Sequence, residues 1–125
     1  MRHAILSVLL AGLAAGSAAA QDDEAGRAEY MIACAGCHGE SGKGDGPLAG
    51  LLTVETPSLT TLAAENGTGW MVDGRNIIRA PGSKMPSWGE RFQASATSER
   101  GETAEMVARG RILSLVYYIE SIQEE

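Results

Sequence analysis

The stretch Cys34-Ala35-Gly36-Cys37-His38 decides how the rest of this chain is interpreted. Two cysteines separated by two residues and followed directly by a histidine are the pattern at which haem of the c type is attached. The two thiols add to the porphyrin vinyl groups, and the imidazole coordinates the iron. The pattern therefore predicts one covalently bound haem c, with Cys34 and Cys37 as attachment points and His38 as an axial ligand.

Two other kinds of site use the same residue types. A structural zinc site needs four ligands, usually Cys and His, whereas the sequence has two cysteines and only one histidine, His38, outside its first few residues. A dithiol redox pair of the thioredoxin kind follows a strand and begins a helix, but the residues before Cys34 have a helical pattern. Neither alternative explains the trailing histidine. Haem attachment is the preferred interpretation, and a periplasmic dithiol oxidoreductase is kept as an alternative.

The first twenty residues have the organisation of a secretory signal. A short basic start is followed by an uncharged apolar run over residues 4–15 and by small residues up to Ala20. The apolar run is too short to span a bilayer as a helix. We therefore expect residues 1–20 to be cleaved as a signal peptide and residues 21–125 to form one domain in the periplasm, without a stable membrane anchor.

The composition excludes one class of partner and suggests how the domain is built. The formal net charge is −6, and an acidic chain is a poor ligand for nucleic acid. Sixteen glycines and an aromatic content of 5% fit a small domain wrapped around a cofactor better than one packed from its own side chains. We expect a monomer with the haem at its centre.

Residues 39–50 form a glycine-dense loop without periodicity. The loop lacks the residue order of a phosphate-binding loop, and its glycines allow backbone to pass close to a flat cofactor. The second ring nitrogen of His38 needs an acceptor, because such a partner fixes the ring and its tautomer. A carbonyl in this loop can serve, and that of Pro47 is the predicted one.

The sixth ligand of the iron is sought among the five methionines, because no second histidine lies beyond the predicted signal. Met85 precedes a proline in an irregular stretch, where a loop can carry its thioether over a haem face. Met71 is the rival, since Met31 is too close to the cysteines and Met106 lies in a helical run. Trp88 is predicted to pack on the cofactor or donate to a propionate, with plain burial in the core as the alternative.

Helical periodicity lies on both sides of these loops. Residues 22–37 have one apolar face, and residues 102–122 carry an apolar stripe that steps by four and three. A glycine in a helix is favourable only where something packs closely on it, so we expect the last helix to cross the first. The residues predicted to pack at this crossing are Gly26, Tyr30, Leu115 and Tyr118.

The elements predicted between these two helices are shorter. A small helix is predicted from Thr56-Pro57-Ser58 to Asn66-Gly67. Irregular chain is predicted over residues 80–89, and a turn over residues 97–101.

Taken in this order, the features resemble the class I c-type cytochromes, which are small soluble His/Met monohaem proteins of the bacterial periplasm. The resemblance implies an all-α cytochrome c fold of three to five helices around one covalent haem, with crossing terminal helices. It also implies that the Pro47 carbonyl accepts from His38 and that Met85 is the distal ligand. The matching positions are Gly26, Tyr30, residues 34–38, Gly46-Pro47, Met85-Pro86 and residues 115–119.

Coordination by His and Met predicts the function. Low-spin iron with both axial positions filled has no open site for substrate, and this ligand pair raises the potential. We expect a one-electron carrier, not an enzyme, that works between redox partner proteins such as a membrane oxidase, a reductase complex or a periplasmic dehydrogenase. The alternative is a haem peroxidase or gas-binding sensor with a labile Met ligand. The locally basic residues 75–91 are a candidate docking face for an acidic partner, with scattered solvated charges as the alternative.

Overall fold

The computed structural model describes residues 23–67, 84–100 and 103–124, and in these ranges all regular secondary structure is helical. The predicted all-α class is confirmed. Helix α1 covers residues 23–33. The further helices are α2 (Ala35–His38), α3 (Leu62–Asn66), α4 (Trp88–Arg100) and α5 (Ala104–Ser121), with a 3-10 turn at Ala49–Leu51 between α2 and α3.

Gly26 lies where α1 meets α5. A Cβ at this position would run into the carbonyl oxygen of Ser114 and come within 2.8 Å of the Tyr118 Cβ, so only glycine allows the two helices to approach so closely. One turn along α1, the ring centroid of Tyr30 lies 5.2 Å from that of Tyr118. Leu115 is fully buried in the same apolar cluster as Tyr30. The four residues predicted to pack at the crossing therefore lie together.

Helix α4 differs from the expectation of irregular chain up to residue 89 and a turn over residues 97–101. It packs along α5, and its buried positions are Phe92 and Ala96. The Trp88 ring, partly buried in the same cluster, lies 6.2 Å from the Phe92 ring. One aromatic and one small residue give a weak periodic signal, so this helix owes its stability to tertiary packing and not to a strong pattern of its own.

The start of α3 also differs from the expectation. The helix begins at Leu62 after Thr61, while its predicted end at Asn66-Gly67 agrees with the structure. Residues 56–60 are therefore not the first turn of a helix. They remain available to pack against other parts of the chain.

Arg111 on α5 connects three helices. Its Nε donates to Glu29 Oε1 at 2.7 Å and its Nη2 to Glu29 Oε2 at 2.9 Å, which links α5 to α1. The guanidinium also lies 4.7 Å from the ring centroid of Phe92 on α4. A bidentate hydrogen bond between a guanidinium and a carboxylate forms only over a narrow range of orientations. This bond therefore fixes how α1 lies on α5, and the contact of the same guanidinium with Phe92 adds α4.

The crossing can be tested at Gly26. We expect Gly26→Ala to lower the free energy of unfolding of the haem-loaded protein by about 1–3 kcal/mol, because the added methyl forces α1 and α5 apart. The matched control is Gly110→Ala on α5, where no atom lies within 4 Å of an added Cβ. This change should leave stability unchanged or raise it by up to about 1 kcal/mol. Denaturant titration followed by circular dichroism measures both, and equal stabilities of the two variants would contradict the close crossing.

Candidate haem site

The residues of the attachment motif continue directly from α1. The Cys34 N–H donates to the Tyr30 carbonyl at 2.8 Å, and the His38 N–H donates to the Cys34 carbonyl at 2.9 Å. Helical hydrogen bonding thus runs from α1 into α2 through Cys34. The two cysteines are not joined to each other. Cys34 is buried and Cys37 is half-buried. Because the hydrogen bonding is continuous, the position of α1 also determines where both sulfurs lie.

The environment of Cys34 does not suit a redox-active dithiol. Burial, the neighbouring Cys37 and Glu29 together raise the pKa of the Cys34 thiol to about 12. A catalytic dithiol needs a lowered pKa, since the thiolate is the reactive form. Cys34 also follows a helix and not a strand. Both observations argue against the dithiol oxidoreductase alternative.

The His38 ring is buried, with 6% of the residue exposed. Its Nδ1 lies 3.0 Å from the carbonyl oxygen of Pro57, and in the described part of the chain this is the ring's only hydrogen bond. Because a carbonyl only accepts, Nδ1 carries the proton and Nε2 keeps its lone pair. Burial lowers the pKa of His38, although the bond to Pro57 opposes this effect. A neutral, oriented imidazole is the form that binds a metal.

The acceptor for His38 is therefore Pro57, and the prediction of Pro47 is wrong. Pro47 belongs to a turn that packs on the motif itself, since the Gly46 N–H donates to the Cys37 carbonyl at 3.1 Å and the Leu48 N–H to the Gly36 carbonyl at 2.8 Å. The sequence signal for the true acceptor is the proline of the Thr56-Pro57-Ser58 segment, a residue pattern that also favours a helix start.

Glycines in the loop after the motif bring Pro57 to the ring. The Gly44 N–H donates to the His38 carbonyl at 2.8 Å, and Gly44 has a φ of +83°. A Cβ there would collide with the carbonyl oxygen of Thr56. In addition, the Leu59 N–H donates to the Gly42 carbonyl at 2.7 Å. The loop and the segment around Pro57 therefore lie backbone against backbone, which needs glycine.

The predicted distal residues are described in part. Met85 is half-buried and lies three residues before α4. Trp88 is half-buried against the core cluster, and the Arg91 guanidinium lies 5.0 Å from its ring centroid. These contacts agree with the core alternative for Trp88. Met71, Arg75 and Arg79 lie outside the described residues, so the rival ligand and most of the basic segment stay predictions.

The described residues contain no separate candidate metal site. In residues 23–67, 84–100 and 103–124, no three His, Cys, Asp or Glu side chains are grouped so that they could hold a metal ion. A cleft of about 260 Å³ between α4 and α5 includes none of the predicted site residues. Within the described ranges, no helix is both long enough and apolar enough to cross a membrane.

The geometry of the motif agrees with a comparison of the sequence with known families. The family model described as cytochrome C oxidase, cbb3-type, subunit III matches residues 21–98. The chain belongs to this family. It is therefore a c-type cytochrome domain that binds covalently attached haem c and transfers electrons, which confirms the predicted family class and cofactor. Comparison with curated proteins and with solved structures gives no match.

The residues present fit the cofactor of the family. Two thiols that are not paired with each other stand one helical turn apart, and the next residue presents an imidazole whose Nε2 is not used in a described hydrogen bond. Leu48, Leu51, Leu52 and Val54 are exposed in the segment that packs beside the motif. Apolar surface of this kind is expected next to a large apolar ligand.

Gly46 tests how closely the following turn must pack on the motif. A Cβ there would lie 2.5 Å from the Gly36 carbonyl oxygen and 2.6 Å from the Cys37 carbonyl carbon. We expect Gly46→Ala to reduce the haem bound per polypeptide and to cost about 1–3 kcal/mol of stability. Gly50→Ala, where nothing lies within 4 Å, is the control. Pyridine haemochrome absorbance and denaturant titration measure the two effects, and similar behaviour of both variants would refute the tight packing.

Proposed function

We propose that this protein is a periplasmic one-electron carrier in which Cys34 and Cys37 hold haem c through thioether bonds and His38 and Met85 are the axial ligands of the iron. The observation that carries the proposal is the bond from His38 Nδ1 to the Pro57 carbonyl, in a chain whose family binds haem c. When bound, haem c supplies an Fe(III)/Fe(II) couple whose potential is raised by a His/Met ligand pair.

Each of the proposed haem-binding residues would have a separate role. The two thiols fix the porphyrin edge to the end of α1, so that the cofactor cannot dissociate. The Pro57 carbonyl orients His38 and increases the donor strength of its Nε2. Met85 would close the opposite axial position and exclude exogenous ligands. Electron transfer then requires no bond to be made or broken at the iron, which is the property of a carrier and not of an enzyme.

A membrane oxidase is the partner class that we favour. The description of the matching family names a cytochrome c oxidase of the cbb3 type, and this supports an oxidase as electron acceptor over a dehydrogenase. Of the described basic residues, Lys84 directly precedes Met85 and Arg91 lies in the first turn of α4, and both are exposed. They would belong to the docking face if residues 75–91 face the partner.

The proposal includes export and cleavage after Ala20. It is supported by the small residues at that point and by the family match, which begins at residue 21. Protein isolated from the periplasm of a host that matures cytochromes c is expected to have the mass of residues 21–125 plus one haem. Its reduced spectrum should show the sharp bands of a low-spin c haem. An intact mass equal to that of the bare polypeptide would refute covalent attachment.

The distal ligand can be tested by opening the site. The reduced wild-type protein should not bind carbon monoxide at neutral pH, whereas Met85→Ala should bind it and have a lower reduction potential, because the thioether ligand is lost. Met106→Ala changes a methionine that is 75% exposed on α5 and should behave as wild type. An unchanged spectrum of Met85→Ala would assign the position to Met71 or another group. Carbon monoxide binding by the wild type would favour the sensor or peroxidase alternative.

A further inference from the structure

The chain that follows α5 folds back onto the segment that carries Pro57. The Gln123 side chain makes three hydrogen bonds, one of them to this segment: its Nε2 donates to the Leu59 carbonyl at 2.7 Å and to the Ile119 carbonyl of α5 at 2.8 Å, and its Oε1 accepts from the Ala63 N–H of α3 at 2.9 Å. A glutamine amide has two donor hydrogens and an acceptor oxygen. Both donors and the acceptor of Gln123 are therefore engaged.

Leu59 connects Gln123 to the loop beside the haem site. Its N–H donates to the Gly42 carbonyl at 2.7 Å, and its carbonyl accepts from Gln123. Leu59 is two residues from Pro57, which has no N–H of its own with which to be fixed. How Ser58 and Leu59 are held therefore contributes to the position of the Pro57 carbonyl.

Neighbouring contacts of the tail are of a different kind. The Glu124 N–H donates to the Thr60 carbonyl at 2.7 Å, a bond that any side chain at position 124 would leave in place. The Glu124 carboxylate pairs with Lys43 at 2.9 Å on the surface, where both side chains are more than half exposed, and it also hydrogen-bonds the Thr60 side chain. Exposed pairs of this kind contribute little. Gln123, by contrast, holds the segment through half-buried hydrogen bonds to backbone groups.

We propose that Gln123 is a positioning residue for the axial ligand. By holding the Leu59 carbonyl, its amide keeps the Pro57 carbonyl in place against His38 Nδ1, and so maintains the donor strength of the imidazole toward iron. This inference rests on the proposed role of His38 in the haem-loaded protein. Loss of the two donor bonds of Gln123 would loosen the Pro57 carbonyl, weaken donation by His38 and shift the reduction potential to more positive values.

Three variants separate this role from simple anchoring of the tail. Gln123→Glu has the same shape and can still accept from Ala63, but it places an acceptor against the carbonyls of Leu59 and Ile119. Gln123→Met is similar in length, removes the donors and leaves the net charge unchanged. Glu124→Gln is the control, because it removes the exposed pair with Lys43 and keeps Gln123.

The measurements are made on the ferrous haem-loaded protein. NMR gives the solvent-exchange rate of the His38 Nδ1 proton, and redox titration gives the potential. We expect both Gln123 variants to exchange this proton at least about tenfold faster than wild type, as for the loss of one buried hydrogen bond. The potential of Gln123→Met should be more positive. Glu124→Gln should exchange at the wild-type rate.

The outcomes distinguish this inference from the proposed function. If Gln123→Met keeps the exchange rate and potential of the wild type, Gln123 only anchors the tail, whatever happens to its stability, and the inference fails while His38 ligation stands. If the wild-type His38 ring resonances lack the large upfield shift that the porphyrin ring current imposes on an axial ligand, His38 is not a ligand and both proposals fail. Should Gln123→Glu yield no haem-loaded protein, the charge-neutral Gln123→Met alone decides.

Discussion

The site depends on one hydrogen bond, that between His38 Nδ1 and the Pro57 carbonyl at 3.0 Å. The two ring nitrogens of a histidine are distinct, and the hydrogen bond made by one of them determines whether the other is free to bind a metal. A proline carbonyl suits this task, because proline offers no N–H to a helix and keeps the preceding residue extended. Such a segment can be carried past the ring only if the loop beside it has almost no side chains, which explains Gly42 and Gly44.

Tyr30 links this bond to the helix crossing. Its ring packs on Tyr118, and its hydroxyl donates to the carbonyl of Gly39 at 2.7 Å, directly after His38. The residue is fully buried, and burial raises the pKa of its hydroxyl, which therefore remains a donor. One side chain thus connects the contact between α1 and α5 with the first turn of the loop beyond the motif. The orientation of the helices and the position of the motif that contains His38 are not independent.

The sequence predicts those parts of the structure that depend on residues close together in the chain. The haem motif is contiguous, and Gly26 and Tyr30 lie one helical turn apart, so both can be recognised from spacing alone. The acceptor for His38 is different, because Pro47 and Pro57 are chemically equal candidates and only the path of the chain selects between them. Nor does any periodicity reveal the pair of Arg111 with Glu29, which are 82 residues apart in the chain.

The family match and several of the groups that position the haem-site residues lie in different parts of the chain. The matched residues 21–98 contain the cysteines, His38 and Pro57, and thereby account for the cofactor. Bonds within this segment hold the motif, and further groups that position it come from beyond residue 98: Ser114 and Tyr118 at Gly26, Arg111 at Glu29, and Gln123 at Leu59. The residues proposed to hold the haem therefore lie in the matched segment, while part of the packing that positions them is supplied by α5 and the tail that follows. If Gln123 positions the Pro57 carbonyl as proposed, a sequence change in that tail would adjust the potential without changing a ligand.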